Sequence, residues 1–235
     1  MQVIFISKKM LFLSLIMIIL LIMGVCINSY FLNKSVSTVN PIYIGNTQEK
    51  AVALMFNVDW GEEILPGLLE TLREKDVKVT FFISGRFAKK FPEITLKIAE
   101  DGHEIGNHGY SHPHPNKLSL EQNQKEINET EKVLQELKIN SAKVFAAPYG
   151  EHGTTVLQAA EALGYKTIMW TLDTIDWQDP SPEVILERIL PKADNGSLIL
   201  MHPKNCTLQA LPGLINSLQK EGYLFKKVTE IINCS

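Results

Sequence analysis

"AVALMFNVDWGEEILPGLLETLREKDVKVTFFIS", residues 51–84, decides the fold. Residues 51–58 are an almost unbroken apolar run rich in β-formers. In residues 62–76, Ile64, Leu68, Leu69 and Leu72 recur at helical spacing, with Pro66 in the first turns. Residues 77–84 form a second apolar run. A strand that is apolar at nearly every position is buried on both faces, which is the signature of a parallel sheet covered by helices.

The pattern continues outward. Residues 92–102 open on Pro92 and stop at Gly102, as helices do. Residues 119–138 predict a long amphipathic helix capped by Ser119, with Gln122 three positions on. Apolar runs at 142–148, 166–172 and 197–202 precede helical segments at 154–164, 181–193 and 207–222. These units predict an α/β fold, a distorted and irregular (β/α) barrel of about seven strands. In such folds the chemistry sits at the C-terminal ends of the strands.

The 235-residue chain carries a net charge of -3, which gives no support to a nucleic-acid partner. The three cysteines include no CxxC pair, so no thiolate metal cluster is indicated, although Cys206 and Cys234 could pair in an oxidising compartment. Lys8 and Lys9 precede a charge-free apolar stretch at 10–27 that reaches the lower limit for a membrane-spanning helix. The expectation is a cytoplasmic tail at 1–9, an uncleaved signal anchor at 10–30, a polar linker at 31–47 and a domain at 48–233. The protein would then sit in the cell membrane by a single pass, as a monomer, with its domain outside the cytoplasm. Secretion after signal cleavage is the alternative.

Within "DGHEIGNHGYSHPHP", residues 101–115, three of the chain's six histidines, His108, His112 and His114, fall within seven positions. At i, i+4, His108 and His112 would share one face of a helical turn and reach one cation. Asp59, at the end of the first strand, offers an oxygen ligand. Two histidines and a carboxylate leave positions open for water, as catalytic sites do. The alternative is a pair of solvated loop histidines.

The order of motifs resembles the polysaccharide deacetylases of carbohydrate esterase family 4, the NodB homology domain, over roughly 48–233. "MFNVDWG" (55–61) stands for T-F-D-D-G, "HGYSH" (108–112) for H-[ST]-x-x-H and "AAPYG" (146–150) for R-x-P-[FY]-G. "DTIDW" (173–177) stands for D-x-x-D-W and "LMH" (200–202) for L-x-H. The resemblance implies a divalent ion on Asp59, His108 and His112, with zinc first and cobalt, nickel or manganese as alternatives. It makes His202 the general acid, with Asp173 orienting its ring, and Tyr149 a backbone donor to the oxyanion. Trp177 and Leu200 would wall the acetyl pocket or simply fill core. His103, His114 and His152 match no ligand and read as ordinary loop residues.

Two departures stand out. The family's general base falls on Asn57, or on Val58 in another alignment, and the arginine that pairs with it falls on Ala146. An amide is a very weak base, and an arginine without its carboxylate would be costly to bury, so the losses are linked. Glu62 or Glu63 would replace the base or merely cover the first turn of a helix. The implied function is metal-dependent removal of N-acetyl groups from a cell-envelope glycan (peptidoglycan or a chitin-like polymer) at low rate. The alternative is a silent glycan-binding or morphogenetic protein that keeps the metal site. A metalloprotease is excluded by the lack of H-E-x-x-H.

Overall fold

The computed structural model describes Lys9, Phe12, residues 16–24 and residues 40–232. It divides into two units, residues 1–38 and 39–235. In the first, residues 16–24 are helical, and the apolar side chains from Ile16 to Met23 are exposed. Among the described residues no helix is long and apolar enough to cross a membrane. Most of the segment read as an anchor lies outside them, as do Cys26 and Cys234.

The second unit is a curled half-barrel of seven parallel strands. They are β1 (Ala51–Val58), β2 (Thr80–Ile83), β3 (Glu104–Asn107), β4 (Val144–Phe145), β5 (Lys166–Thr167), β6 (Leu172–Asp173) and β7 (Leu198–Met201). Their order is β5-β4-β3-β2-β1-β7-β6, and β8 (Leu224–Phe225) adds to the start of β1. The predicted helices form at Leu65–Glu74, Pro92–Glu100, Leu120–Glu136, Thr154–Ala162, Pro182–Ile189 and Asn205–Lys220. Ser119 and Gln122 make the expected capping box.

β1 is central and wholly buried. Because side chains alternate across a strand, Val52, Leu54, Phe56 and Val58 pack outward with Leu65, Leu68 and Leu72 under the helices. Ala51, Ala53 and Met55 face inward with Phe82, Val144, Ala146, Leu198 and Leu200. Asn57 continues that inward face at the top of the strand.

Two expectations need correction. Residues 166–172 form not one strand but the two edges of the sheet, since β5 pairs with β4 and β6 with β7. The chain crosses the open side of the half-barrel between them. There it meets residues read as linker: Ile42 bridges Ile168, Ile44 bridges Ser197, and Thr171 donates its hydroxyl to the Tyr43 carbonyl (2.7 Å). The folded domain thus begins before residue 48, because backbone groups at an open sheet edge need partners whatever the polarity of the strap that supplies them.

Gly106 of β3 lets the Phe82 ring enter the interior. A Cβ there would stand 2.7 Å from that ring and 3.0 Å from Val144. Gly106→Ala is expected to lower stability by about 1–3 kcal/mol, through overpacking, in urea denaturation.

His103, read as an ordinary loop residue, belongs instead to the core. It is buried with its edge on Phe81, and its Nδ1 accepts the Val79 amide (3.2 Å). Burial, helped by Lys78, pushes its pKa down to about 4. The unfolded chain takes up this proton near the ordinary value and the folded chain only near 4. This histidine therefore costs stability as pH falls between those values, by roughly 2–3 kcal/mol at pH ~4.5. His103→Gln should flatten the stability loss between pH 7.5 and pH 4.5 by that amount relative to the parent, measured by urea denaturation at both.

Candidate functional site

The strand ends deliver the polar residues to one rim. β1 leads to Asp59, β2 to Ser84, β3 to His108, β6 to Asp176 and β7 to His202. Parallel strands make this unavoidable, because all their C-terminal ends point one way.

His108 is buried, and its Nδ1 hydrogen-bonds the Ala146 carbonyl (2.6 Å). Nε2 therefore faces the rim as the free nitrogen. Burial, with the neighbouring His112, pushes its pKa down to about 3, so the ring is neutral. His112 does not follow on a helical turn. The loop turns through Gly109 and His112, both at positive φ. Glu126 ties it down by accepting from the Tyr110 and Ser111 amides (2.9 and 2.7 Å) and the Ser111 hydroxyl (2.8 Å). The two imidazoles still meet, with centroids 5.0 Å apart. Burial lowers the His112 pKa as well.

Asp59 does not complete this pair. Its Oδ1 accepts from the Ser84 hydroxyl (2.6 Å) and from Arg86 Nε (2.7 Å), and a terminal Arg86 nitrogen bonds Oδ2. Ser84 also caps the helix Gly85–Lys90 by accepting from the Phe87 amide. Burial would raise the Asp59 pKa, but the Arg86 and Ser84 bonds hold it below the usual carboxylate range. Among the described residues no three His, Cys, Asp or Glu side chains converge on one point. In this structure Asp59 is engaged by Ser84 and Arg86, and the expected set of Asp59, His108 and His112 is not assembled around one point. The donor set present does not fit a three-ligand metal ion. Arg86 was given no role in the sequence, since only the fold brings the start of one helix onto the end of β1.

His202 lies on this rim, and its ring is held by Asp176 and not by Asp173, the residue expected to orient it. Asp176 is fully buried. Its Oδ1 bonds His202 Nδ1 (2.7 Å), and its Oδ2 accepts from the His202 amide and the Thr207 hydroxyl (both 2.6 Å). Asp173 Oδ1 instead accepts from the Ile175 amide (2.8 Å), and burial raises its pKa. The motif contains both aspartates; the left-handed backbone at Ile175 selects the second. Trp60 lies nearly parallel to the His202 ring (6.2 Å, 9°) with Lys204 over it.

Asn57 is buried, and its Oδ1 has no hydrogen-bond partner. Ala146 is buried in the inward cluster with Met55, Phe82 and Leu200. Leu200 is thus core at the floor of the rim, whereas Trp177 is exposed at its edge. Tyr149 adopts positive φ, and its exposed ring stacks on His114 (4.1 Å, 15°) and meets His112 edge-on (4.7 Å). Glu151 holds His114 (2.9 Å). His114, read as a bystander, is part of this aromatic stack. Glu62 and Glu63 lie in the turn before the helix Leu65–Glu74.

The architecture is thus a parallel α/β half-barrel with imidazoles and carboxylates gathered on one rim. The sequence model of the polysaccharide deacetylase family matches residues 44–168. YlxY of Bacillus subtilis is 40% identical over 193 residues, which cover 82% of this chain and 60% of YlxY. The chain thus spans less than two thirds of that relative's length. A peptidoglycan-N-acetylglucosamine deacetylase of Bacillus cereus is 33% identical over 198 residues, covering 82% of this chain and 72% of that one. Among solved structures, wild-type BA3943 of Bacillus anthracis, described as a CE4 family pseudoenzyme, superposes with a TM-score of 0.80. It is 38% identical and covers 83% of this chain and 70% of its own. A mutant of that protein described as having restored enzymatic activity matches with the same TM-score at 36% identity, covering 83% of this chain and 72% of its own. The chain belongs to the polysaccharide deacetylase family.

The Asp176 contacts generate a prediction. Asp176→Asn would turn an amide donor toward groups that donate, leaving buried hydrogen bonds unmade. Stability should fall by about 1–3 kcal/mol in urea denaturation. The downfield Nδ1 proton of His202 should vanish from the NMR spectrum, whereas Asp173→Asn should leave it in place.

Proposed function

We propose that this chain binds an N-acetylated glycan of the cell envelope and removes its acetyl groups slowly or not at all. The observation that carries this reading is the buried, unpartnered Asn57 Oδ1 on the same inward face as Ala146. Where the family resemblance puts a carboxylate and its arginine, this chain has an amide and a methyl group. The amide oxygen accepts a hydrogen bond from a sugar hydroxyl or amide, but it is too weak a base to take a proton from water. The description of BA3943 as a pseudoenzyme supports the reading.

Within this reading, slow hydrolysis is favoured over a silent glycan binder by the His202–Asp176 pair. Asp176 on Nδ1 leaves Nε2 free to deliver a proton to a departing amine. The Tyr149 amide would face the oxyanion, and exposed Trp60, Tyr149 and Trp177 offer flat faces to sugar rings. For a divalent ion such as zinc, this chain presents His108 and His112, while Asp59 is withheld. The apolar N-terminal segment would hold the domain outside the cytoplasm at the membrane, which N-terminal sequencing of the mature protein tests. A start near residue 28 would replace the anchor with a cleaved signal.

The central test is acetate release from N-acetylglucosamine oligomers at saturating zinc, alongside co-sedimentation with peptidoglycan. The unmodified chain should sediment with the glycan and release little acetate. Asn57→Asp alone should gain less than about tenfold, because its carboxylate lacks a cationic partner. With Ala146→Arg added, release should rise by about 10²-fold or more, the ordinary range of general-base assistance, and exceed the product of the single effects. Rapid turnover by the unmodified chain that falls on Asn57→Asp would overturn the proposal.

A further inference from the structure

We propose that Arg86 is a resident cation of the rim, which occupies Asp59 and leaves the His108–His112 pair able to hold a divalent ion only weakly. The ion pair has the fork geometry that suits guanidinium to carboxylate, with Nε on one oxygen and a terminal nitrogen on the other. The Ser84 hydroxyl adds a third donor at 2.6 Å. A carboxylate offers about four acceptor positions, so most of this one's capacity is engaged. A metal ion recruiting Asp59 must displace the guanidinium or share the carboxylate with it.

The partners are unequal in exposure. The Asp59 side chain is 5% exposed and the Arg86 side chain 51%. The aspartate is therefore fixed while the arginine reaches in from the surface. The backbone holds Arg86 in place too: its amide donates to the Tyr110 carbonyl (3.0 Å) and the Gly85 amide to the Gly109 carbonyl (2.9 Å). Gly85 permits this approach, because a Cβ there would lie 2.4 Å from the Tyr110 ring. The loop that carries the histidine pair and the helix that carries the competing cation are thus one packed unit. The cation is built into the site.

Zinc titration of the purified, metal-free full chain in detergent, by calorimetry, tests this. Visible absorption of the cobalt-loaded protein reports ligand number. The parent should bind zinc weakly, and Asp59→Asn should change that affinity by less than about twofold, because the carboxylate takes no part. Arg86→Ala should release Asp59 and raise zinc affinity at least tenfold, the scale on which neighbours of metal ligands act. It should also strengthen the cobalt absorption, and adding Asp59→Asn should cancel both gains. Circular dichroism monitors folding, and Arg86→Gln, of similar length and uncharged, replaces Arg86→Ala if the smaller side chain unfolds the protein. A tenfold or greater loss of zinc affinity on Asp59→Asn in the parent overturns the proposal, as does a folded Arg86 variant with unchanged affinity. Metal affinity is read without glycan, so these outcomes are independent of the functional proposal above.

Discussion

β1 is removed from water along its whole length, and the half-barrel is arranged around that fact. A strand buried on both faces divides its residues into two sets that never meet. The outward set holds the helices; the inward set holds the lining of the sheet. Shifting the register by one residue would exchange the sets and send Asn57 under the helices. Register is therefore fixed by the core, and with it the height at which β1 releases Asp59 onto the rim. Neighbouring strands are locked to it by parallel pairing, from Met55–Thr80 to Val58–Ile83 on one side and Ala53–Leu198 to Phe56–Met201 on the other.

Two buried carboxylates then organise the rim in opposite ways. Asp176 is satisfied by a ring nitrogen, a backbone amide and a hydroxyl, all from the segment that follows β7. Asp59 is satisfied by a hydroxyl and a guanidinium from the segment that follows β2. A buried charge left unpaired is strongly destabilising, so each carboxylate dictates its neighbourhood. The first draws an imidazole into a fixed orientation. The second draws in a surface arginine and with it a positive charge beside the histidine pair.

The fold was legible because its signal is periodic and long. Continuous apolar strands and 3.6-residue helices survive any local detail, and caps such as Ser119–Gln122 are written in adjacent residues. The seam was not legible. Residues 166–172 look like one strand, and only the sheet order reveals two edges needing a strap from residues 42–44. At the site, residue types and strand-end placement were readable, as His108, His112 and His202 show. Pairings were not. Asp173 and Asp176 are equally plausible on paper, and a left-handed turn at Ile175 chooses between them. The Asp59–Arg86 pair joins segments whose closeness depends on β1–β2 register, which no local motif encodes.

The survival of His202 with Asp176 bears on whether such a rim must turn over. A ring oriented by a buried carboxylate suggests catalysis, but here the carboxylate has other duties. Its second oxygen holds the backbone of residue 202 and the hydroxyl of Thr207, fixing the turn from β7 into the helix Asn205–Lys220. That helix packs Leu211, Leu214, Ile215 and Leu218 into the main core. Removing Asp176 would disturb the fold whatever the chemistry, so its presence carries less weight for activity than its geometry suggests. Asn57 and Ala146 differ in that the Asn57 oxygen has no such contact to hold. An aspartate–arginine pair would satisfy its own buried charges, whereas the amide here leaves its oxygen without a partner. The proposed reading therefore rests on residues 57 and 146 and not on the His202–Asp176 pair.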